Sequence, residues 1–366
     1  MRASLVHSSR LNTVMKDLIT TSTLDLLNEL GFGTTLVTFQ RAGTGLLAGA
    51  GATPPRLVSL FPIDLPDLGV YQKVLTSLLV RTVGGSSLLI DIDADTLRTM
   101  PSLSIPSMLY FHNAPHSYYL RDDPRMGSLL WRAFFTPYAS LGSGLPETSS
   151  KRTILTNSAY TQGILSTRFG MSSEVLHPPV KVDKFRGLAG LKRAEDVVTM
   201  LGRISPQKKI EEGMEIFRRA HERRPSLRLV IVGNLLPSLY GYYNTLRERA
   251  RGLPVSFLVN AEETVLTQTL ARTKLLLHTR ADEPFGVGIV EAMSAGIIPL
   301  VPDSGGPREI VPPRYRYSDS GAAVEELVAL ADEPQDVRLA LSESSEQYSV
   351  ASFKARFKDL ILDVLS

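Results

Sequence analysis

Short apolar runs separated by polar or glycine-containing stretches dominate the first half of the chain. Ala3–Val6, Thr34–Phe39, Arg56–Leu60, Leu88–Ile92 and Ser107–Phe111 read as strands. Between the first two, the spacing predicts a helix from about Val14 to Leu30, ended by Gly31. Polar breaks at Gly142–Pro146 and Glu147–Lys151 precede a further strand, Thr153–Thr156. His177-Pro178-Pro179-Val180 follows, and adjacent prolines hold such a segment extended and stiff. The domain boundary is placed there.

The second half alternates more regularly. Strand Val197–Leu201 leads into one helix from Pro206 to Arg224, with its proline in the first turn. Strand Leu227–Val232, a helix from about Ser238 to Arg251 and strand Val255–Val259 come next. A helix from Glu262 to Arg272, strand Leu275–His278, helix Val287–Ala295 capped by Gly296, and strand Ile298–Val301 complete the series. Near-continuous apolar strands separated by helices predict a parallel sheet covered on both faces, in a doubly wound, Rossmann-like domain. Val350–Leu365 reads as an amphipathic helix with Phe353, Phe357, Leu360, Ile361 and Leu365 on one stripe. The expected domains are 1–178, 179–348, and a helix over 349–366 that packs back toward the first.

Composition narrows the function. With 366 residues and 43% of them hydrophobic, the chain has material for two ordinary cores. It has no cysteine, which excludes disulfides, thiolate metal sites and cysteine nucleophiles. A net charge of +3 suits an anionic small ligand or an anionic membrane surface. It is too small and too dispersed for nucleic acid, which demands a concentrated basic stripe. Met1–Arg10 lacks an apolar signal core, and no apolar run reaches the ~18–20 residues of a membrane span. The expectation is a soluble or peripheral protein of the cytoplasm.

Ligands of doubly wound sheets bind at the carboxyl ends of strands, and three such ends here carry unusual residues. Gly202-Arg203-Ile204-Ser205-Pro206-Gln207-Lys208 offers a forked guanidinium and an ammonium to a diphosphate. Taken alone, basic residues that open a surface helix are ordinarily just solvated. Glu283-Pro284-Phe285-Gly286-Val287-Gly288-Ile289-Val290-Glu291 runs from a strand into a helix, and amides at Phe285, Gly286 and Val287 would meet an anion there. Glu291 suits the two hydroxyls of a ribose, and Glu283 suits hydroxyls of a transferred sugar. Glu291 sits among Ile289, Val290, Ala292 and Met293, so its charge needs a partner. Asp303-Ser304-Gly305-Gly306-Pro307-Arg308-Glu309 again presents a glycine pair before a short helix, though by itself this is an ordinary tight turn.

Together these residues resemble the retaining glycosyltransferases of family four. The resemblance rests on Gly202-Arg203 with Lys208, the Glu283-to-Glu291 pair around Pro284-Phe285-Gly286, and Gly305-Gly306 with Glu309. Thr156-Asn157-Ser158-Ala159-Tyr160-Thr161 and Leu176-His177-Pro178-Pro179-Val180 support it, so that it covers about 153 to 311 strongly and the terminal helix loosely. It implies the GT-B fold, two facing Rossmann-like domains with a cleft between them. The N-terminal domain then binds the acceptor and the C-terminal one the nucleotide sugar. Leu277-His278-Thr279, Gly286-Val287-Gly288-Ile289-Val290-Glu291 and Ser304-Gly305-Gly306-Pro307 are most similar to mannosyltransferases that extend lipid-linked oligosaccharides. That likeness implies GDP-mannose as donor, a glycan or polyprenyl-linked acceptor, and no required cofactor or metal. A UDP-sugar transferase acting on a soluble acceptor stays open, as does a non-catalytic nucleotide-sugar-binding subunit.

The resemblance assigns catalysis to Arg203, Lys208, Glu283 and His112, and donor binding to Gly202, Phe285, Gly286, Val287, Glu291, Gly305 and Gly306. His112, delivered by the aromatic end Tyr110-Phe111, matches a family histidine that faces the donor sugar; His116 is a weaker match. The chain departs from the family after its first strand, where His7-Ser8-Ser9-Arg10-Leu11-Asn12 replaces a glycine-rich loop. Asp91-Ile92-Asp93-Ala94-Asp95 has acidic spacing that suits a hard cation, but it ends an apolar strand and is read as structural. Ser128–Phe135, with the single tryptophan Trp131 and with Arg121, Arg125 and Arg132 close by, fits a core or cleft-lining helix first and a membrane-interface segment second.

Overall fold

The computed structural model describes residues 1–7, 14–40, 53–61, 76, 85–94, 105–114, 128–130, 132–133 and 152–366. These fall into two units, Met1–Pro179 with Val350–Ser366, and Val180–Ser349.

The sheet of the first unit comprises β1 (Arg2–His7), β2 (Gly33–Gln40), β3 (Arg56–Phe61), β4 (Leu88–Asp91), β5 (Ser107–Phe111), β6 (Arg152–Thr156) and β7 (Glu174–Val175). Their order is β3-β2-β1-β4-β5-β6-β7, and every pair is parallel. Ala3 to His7 are all buried, as a central strand covered on both faces requires. Helix α1 (Val14–Glu29) supplies Leu24, Leu26 and Leu27 to the core, where they join Leu5, Leu36 and Ile90. Helix α2 (Ala159–Phe169) begins at Ser158, whose hydroxyl accepts from Thr161 N–H at 3.0 Å, and ends at the left-handed Gly170.

The second unit places β8 (Val197–Leu201), β9 (Arg228–Gly233), β10 (Val255–Val259), β11 (Thr273–Leu277), β12 (Ile298–Pro302) and β13 (Arg316–Tyr317) in the order β10-β9-β8-β11-β12-β13. All pairs are parallel. After the short α3 (Asp183–Arg186), the crossovers are α4 (Ile210–Arg223), α5 (Tyr240–Arg249), α6 (Glu263–Arg272), α7 (Val287–Ser294) and the short α8 (Pro307–Ile310). Helices α9 (Ser320–Ala329) and α10 (Gln335–Ser344) follow β13. One core runs through the unit, from Val198, Ile231 and Leu276 on strands to Phe217 and Val290 on helices.

The single helix expected from Pro206 to Arg224 is divided. A 3-10 turn at Pro206–Lys208 ends at Lys209, whose φ of 48° breaks the spiral before α4 begins. The hydroxyl of Thr279 braces the break by donating to the Lys208 and Lys209 carbonyls, the second of which also accepts the amides of Glu212 and Gly213. The final helix α11 (Val350–Leu365) returns to the first unit and buries Phe353, Phe357, Leu360 and Ile361 against α1 and the sheet. Lys354 on α11 ties it down by bonds to Asp25 and Glu29, both at 2.5 Å.

The expected features at Ser8–Asn12, Asp95, His116, Arg121, Arg125, Trp131, Phe134, Phe135 and Gly142–Lys151 lie outside the described residues. Leu129 and Leu130 are 82% and 77% exposed, so neither is a core residue. Among the described residues, no helix is long and apolar enough to cross a membrane.

Candidate active site

Three strand ends of the second unit and one 3-10 turn converge on a small, open crevice. β8 brings Gly202 and Arg203, β9 brings Val232, β11 brings His278 and Thr279, and the 3-10 turn brings Lys208. Two backbones pass very closely here. A Cβ on Gly233 would lie 1.7 Å from the carbonyl oxygen of Gly202, so only glycine fits at that crossing. Gly202 itself donates its amide to Val232 at 3.1 Å, which extends the sheet by one bond and leaves no donor for a ligand.

Lys208 points into the site, and its ammonium lies 2.6 Å from Glu283 Oε2. The same oxygen has His278 Nε2 and Arg280 Nη1 at 3.7 Å each. Burial pushes the Glu283 carboxyl up, but Lys208, His278 and Arg280 together outweigh it and hold the group below its ordinary value. For His278, burial is the main influence, with Lys208 and Arg280 adding to it against Glu283, and the imidazole falls to about 4. It is therefore neutral at pH 7. Arg203 is exposed on the crevice wall and makes no ion pair among the described residues.

The turn after Glu283 leads into α7, whose start lies beside the end of β8: a Cβ on Gly288 would be 3.8 Å from Leu201 Cβ. The first amides of a helix have no intrahelical acceptor. Those of Gly286, Val287 and Gly288 donate to no described residue outside the helix. Phe285 is different. Its ring is buried and meets Tyr348 edge-on at 5.6 Å, so the side chain is taken up by the core.

The side chain of Glu291, one turn into α7, makes no hydrogen bond with a described residue; only its carbonyl does, accepting from Ser294 Oγ. Burial pushes its carboxyl up to about 7, opposed by the more distant Lys184 and Lys181. A half-neutral carboxyl awaiting polar partners is an apt receptor for hydroxyl groups. Gly305 and Gly306 pass close to the backbone of the 281–285 turn. The Gly306 amide is already spent on the Glu283 carbonyl at 2.8 Å, and a Cβ there would lie 2.2 Å from Pro284 O. The pair packs the 281–285 turn against α8, and the Gly306 amide is not presented to an anion. His278 and Thr279 are missing from the expected site residues; their placement at the end of an apolar strand was the available signal.

In the first unit, His112 directly follows β5 and is buried, with its ring edge-on to Tyr110 at 4.8 Å. Its carbonyl accepts from Asn157 Nδ2 at 2.7 Å. His7, at the end of β1, pairs Nδ1 with Thr20 Oγ1 at 2.7 Å. Asp91 Oδ1 accepts from Asp93 N–H at 2.9 Å, which folds that acidic run into a turn. Among the described residues no acidic or histidine cluster is arranged to hold a metal ion.

Residues 182–333 match the family model of glycosyl transferases group 1. The second unit is a group 1 glycosyltransferase domain. The chain is similar to the GDP-Man:Man(3)GlcNAc(2)-PP-Dol alpha-1,2-mannosyltransferase of Dictyostelium discoideum, at 22% identity over 78% of this chain and 60% of that protein. It is also similar to the alpha-1,3/1,6-mannosyltransferase alg-2 of Neurospora crassa, at 24% identity over 75% of this chain and 68% of that one. The match thus spans only three fifths of the length of the first relative. Among solved structures, HepE of Anabaena in complex with UDP and glucose superposes with a TM-score of 0.69 at 16% identity, covering 99% of both chains. That likeness shows the GT-B fold of two Rossmann-like domains. In the glycosyltransferase domain, the basic crevice and the start of α7 occupy the carboxyl edge of the sheet, where doubly wound domains take ligands.

Proposed function

We propose that the chain is a retaining glycosyltransferase that moves a hexose, mannose in first place, from GDP-mannose to a glycan on a polyprenyl carrier. The observation that carries this reading is the Lys208 ammonium, held 2.6 Å from Glu283 in a crevice beside the open amides of α7. An ammonium, an exposed guanidinium at Arg203 and a helix start form a receptor for a pyrophosphate. The names of the Dictyostelium and Neurospora relatives, both mannosyltransferases and the first specific for GDP-mannose and a dolichol-linked glycan, favour GDP-mannose and a lipid-linked acceptor.

In this mechanism the diphosphate is the leaving group. Lys208, Arg203 and the amides of Gly286 and Val287 stabilise the charge that builds on it, which is usually the largest catalytic contribution in such sites. The acceptor hydroxyl attacks from the leaving-group side, and a phosphate oxygen takes its proton. No protein nucleophile is needed. Glu291 receives the ribose hydroxyls and Glu283 those of the transferred sugar. Gly202, Gly305 and Gly306 shape the donor pocket through close backbone contacts, and the Phe285 backbone leads into it. His112 completes the catalytic set, and the lipid-linked acceptor brings the chain to the cytoplasmic surface of a membrane as a peripheral protein.

The test combines donor ranking with transfer. GDP should raise the melting temperature more than UDP or ADP does, and the chain should transfer mannose from GDP-mannose to a polyprenyl-diphosphate glycan. A UDP preference with transfer to a soluble acceptor would replace this reading. Binding without transfer or donor hydrolysis would reduce the chain to a binding subunit.

A further inference from the structure

The ion pair of Lys208 and Glu283 sets up a competition once the crevice holds an anion. The ammonium that touches Glu283 Oε2 is also the cation assigned above to the diphosphate. Without Lys208, the permanent cation near that oxygen among the described residues is the Arg280 guanidinium at 3.7 Å, beyond hydrogen-bond reach, and an enclosed carboxylate without a hydrogen-bonded cation is strongly disfavoured. Glu283 cannot easily turn to water, because its side chain is only 13% exposed.

A second partner stands next to it. His278, immediately after β11, is 8% exposed, and its Nε2 lies 3.7 Å from the same Glu283 oxygen. That nitrogen is enclosed and has no hydrogen-bond partner, an arrangement folded proteins seldom keep without a use. The charged groups facing the imidazole are Lys208 on the 3-10 turn and Arg280 and Glu283 on the loop after β11. From β13, Tyr317 reaches only the His278 carbonyl, to which its hydroxyl donates at 2.8 Å. With Lys208 close, the ring stays neutral. With Lys208 drawn off and a diphosphate nearby, one of the two cations that oppose protonation of the ring is gone and an added anion favours the proton, against burial and Arg280, which stay as they were.

We propose that His278 replaces Lys208 as the cationic partner of Glu283 when a nucleoside diphosphate binds. The imidazole takes one proton from solvent, and its Nε2–H then donates to Glu283 Oε2. Glu283 stays ionised and fixed to receive sugar hydroxyls, while Lys208 serves the phosphate. His278 is thus a positioning residue, and diphosphate binding is coupled to proton uptake. The inference rests on the donor-site reading above.

The test is calorimetric titration of GDP into the full chain at pH 6.5, in two buffers of different ionisation enthalpy, which yields the protons taken up per GDP bound. Wild type should take up about half a proton more than His278→Asn, and Glu283→Gln should match His278→Asn because it removes the anion that needs a partner. Comparing proteins cancels the protons that GDP itself gains. Between pH 7.5 and 6, the wild-type affinity should improve roughly threefold more than that of either variant. The comparison with Glu283→Gln stands by itself should His278→Asn not fold. Equal uptake in all proteins that bind GDP overturns the proposal and leaves the donor site intact. Failure of the wild type to bind GDP, UDP or ADP overturns the donor-site reading and this proposal with it.

Discussion

Thr279 Oγ1 donates to the carbonyl oxygen of Lys208 at 2.9 Å, across 71 residues of sequence. The Lys209 carbonyl shares that donor at 3.0 Å, and Lys209 holds a left-handed conformation that a lysine keeps only when its surroundings impose it. Thr279 therefore pins the turn that aims Lys208. Replacing it by valine keeps the shape and removes the hydroxyl. Thr279→Val should lose about 1–2 kcal/mol of stability in urea unfolding. If the turn slackens by ~1 kcal/mol, GDP affinity should fall roughly fivefold. Unchanged GDP affinity would show that the turn holds itself.

Lys208→Ala should lower turnover by about a hundredfold or more, and it should cost more than Glu291→Ala. The reason is timing: charge on the diphosphate grows only as the sugar leaves, whereas ribose hydroxyls look alike before and during reaction. The Lys208 loss should therefore appear in kcat and the Glu291 loss chiefly in KM for the donor. Wild-type kcat in purified Lys208→Ala would remove Lys208 from the phosphate.

Gly233→Ala and Gly306→Ala should each cost about 3 kcal/mol or more, because the added carbon meets backbone at 1.7 and 2.2 Å. Gly163→Ala, in α2 with nothing within 4 Å of the added carbon, is the control and should stabilise by roughly 0.5–1 kcal/mol. Thermal melts of the three variants decide it. Equal melting temperatures would mean that the close crossings relax freely.

Glu291 and His278 should give opposite dependences of stability on pH. Glu291 is raised to about 7 in the fold, so its contribution is full below the ordinary carboxyl range and is lost as pH rises through 7. His278 is lowered to about 4, so its contribution is full above the ordinary imidazole value of 6.5 and is lost as pH falls through 4. Between pH 5 and 6.5 the two slopes oppose each other. Glu291→Gln should leave stability rising with pH in that window, and His278→Asn should leave it falling. Each swing should reach at most about 3 kcal/mol, as shifts of this size imply. Parallel curves for both variants would contradict the assignments.

The second sheet was the most legible part of the chain. Val197–Leu201 and Val255–Val259 occupy the predicted bounds because strands buried on both faces are unbroken apolar runs. The break at Lys209 was not legible, since the hydroxyl that braces it, on Thr279, is remote in sequence. Helices α2 and α9 were overlooked although their caps were in view. Ser158 and Gly170 bracket α2, and the Asp319 side chain accepts from Ala322 N–H at 2.9 Å to open α9. Both helices have weak apolar periodicity, which the caps could have offset. Lys208 and Glu283 were each picked out by residue type, but that they touch is a property of neighbouring strand ends. The glycines at 305 and 306 signal a missing side chain equally well for a ligand or for a backbone, and only the fold identifies the Pro284 carbonyl as the neighbour.

The return of α11 sets an order of assembly. Residues 180–349 form an uninterrupted stretch that can close its own core as soon as it leaves the ribosome. The earlier half must wait, since Phe353, Phe357, Leu360 and Ile361 belong to its core and are made last. Until that helix arrives, the apolar side of α1 is open to water, and chaperones would find their substrate in the part of the protein made first.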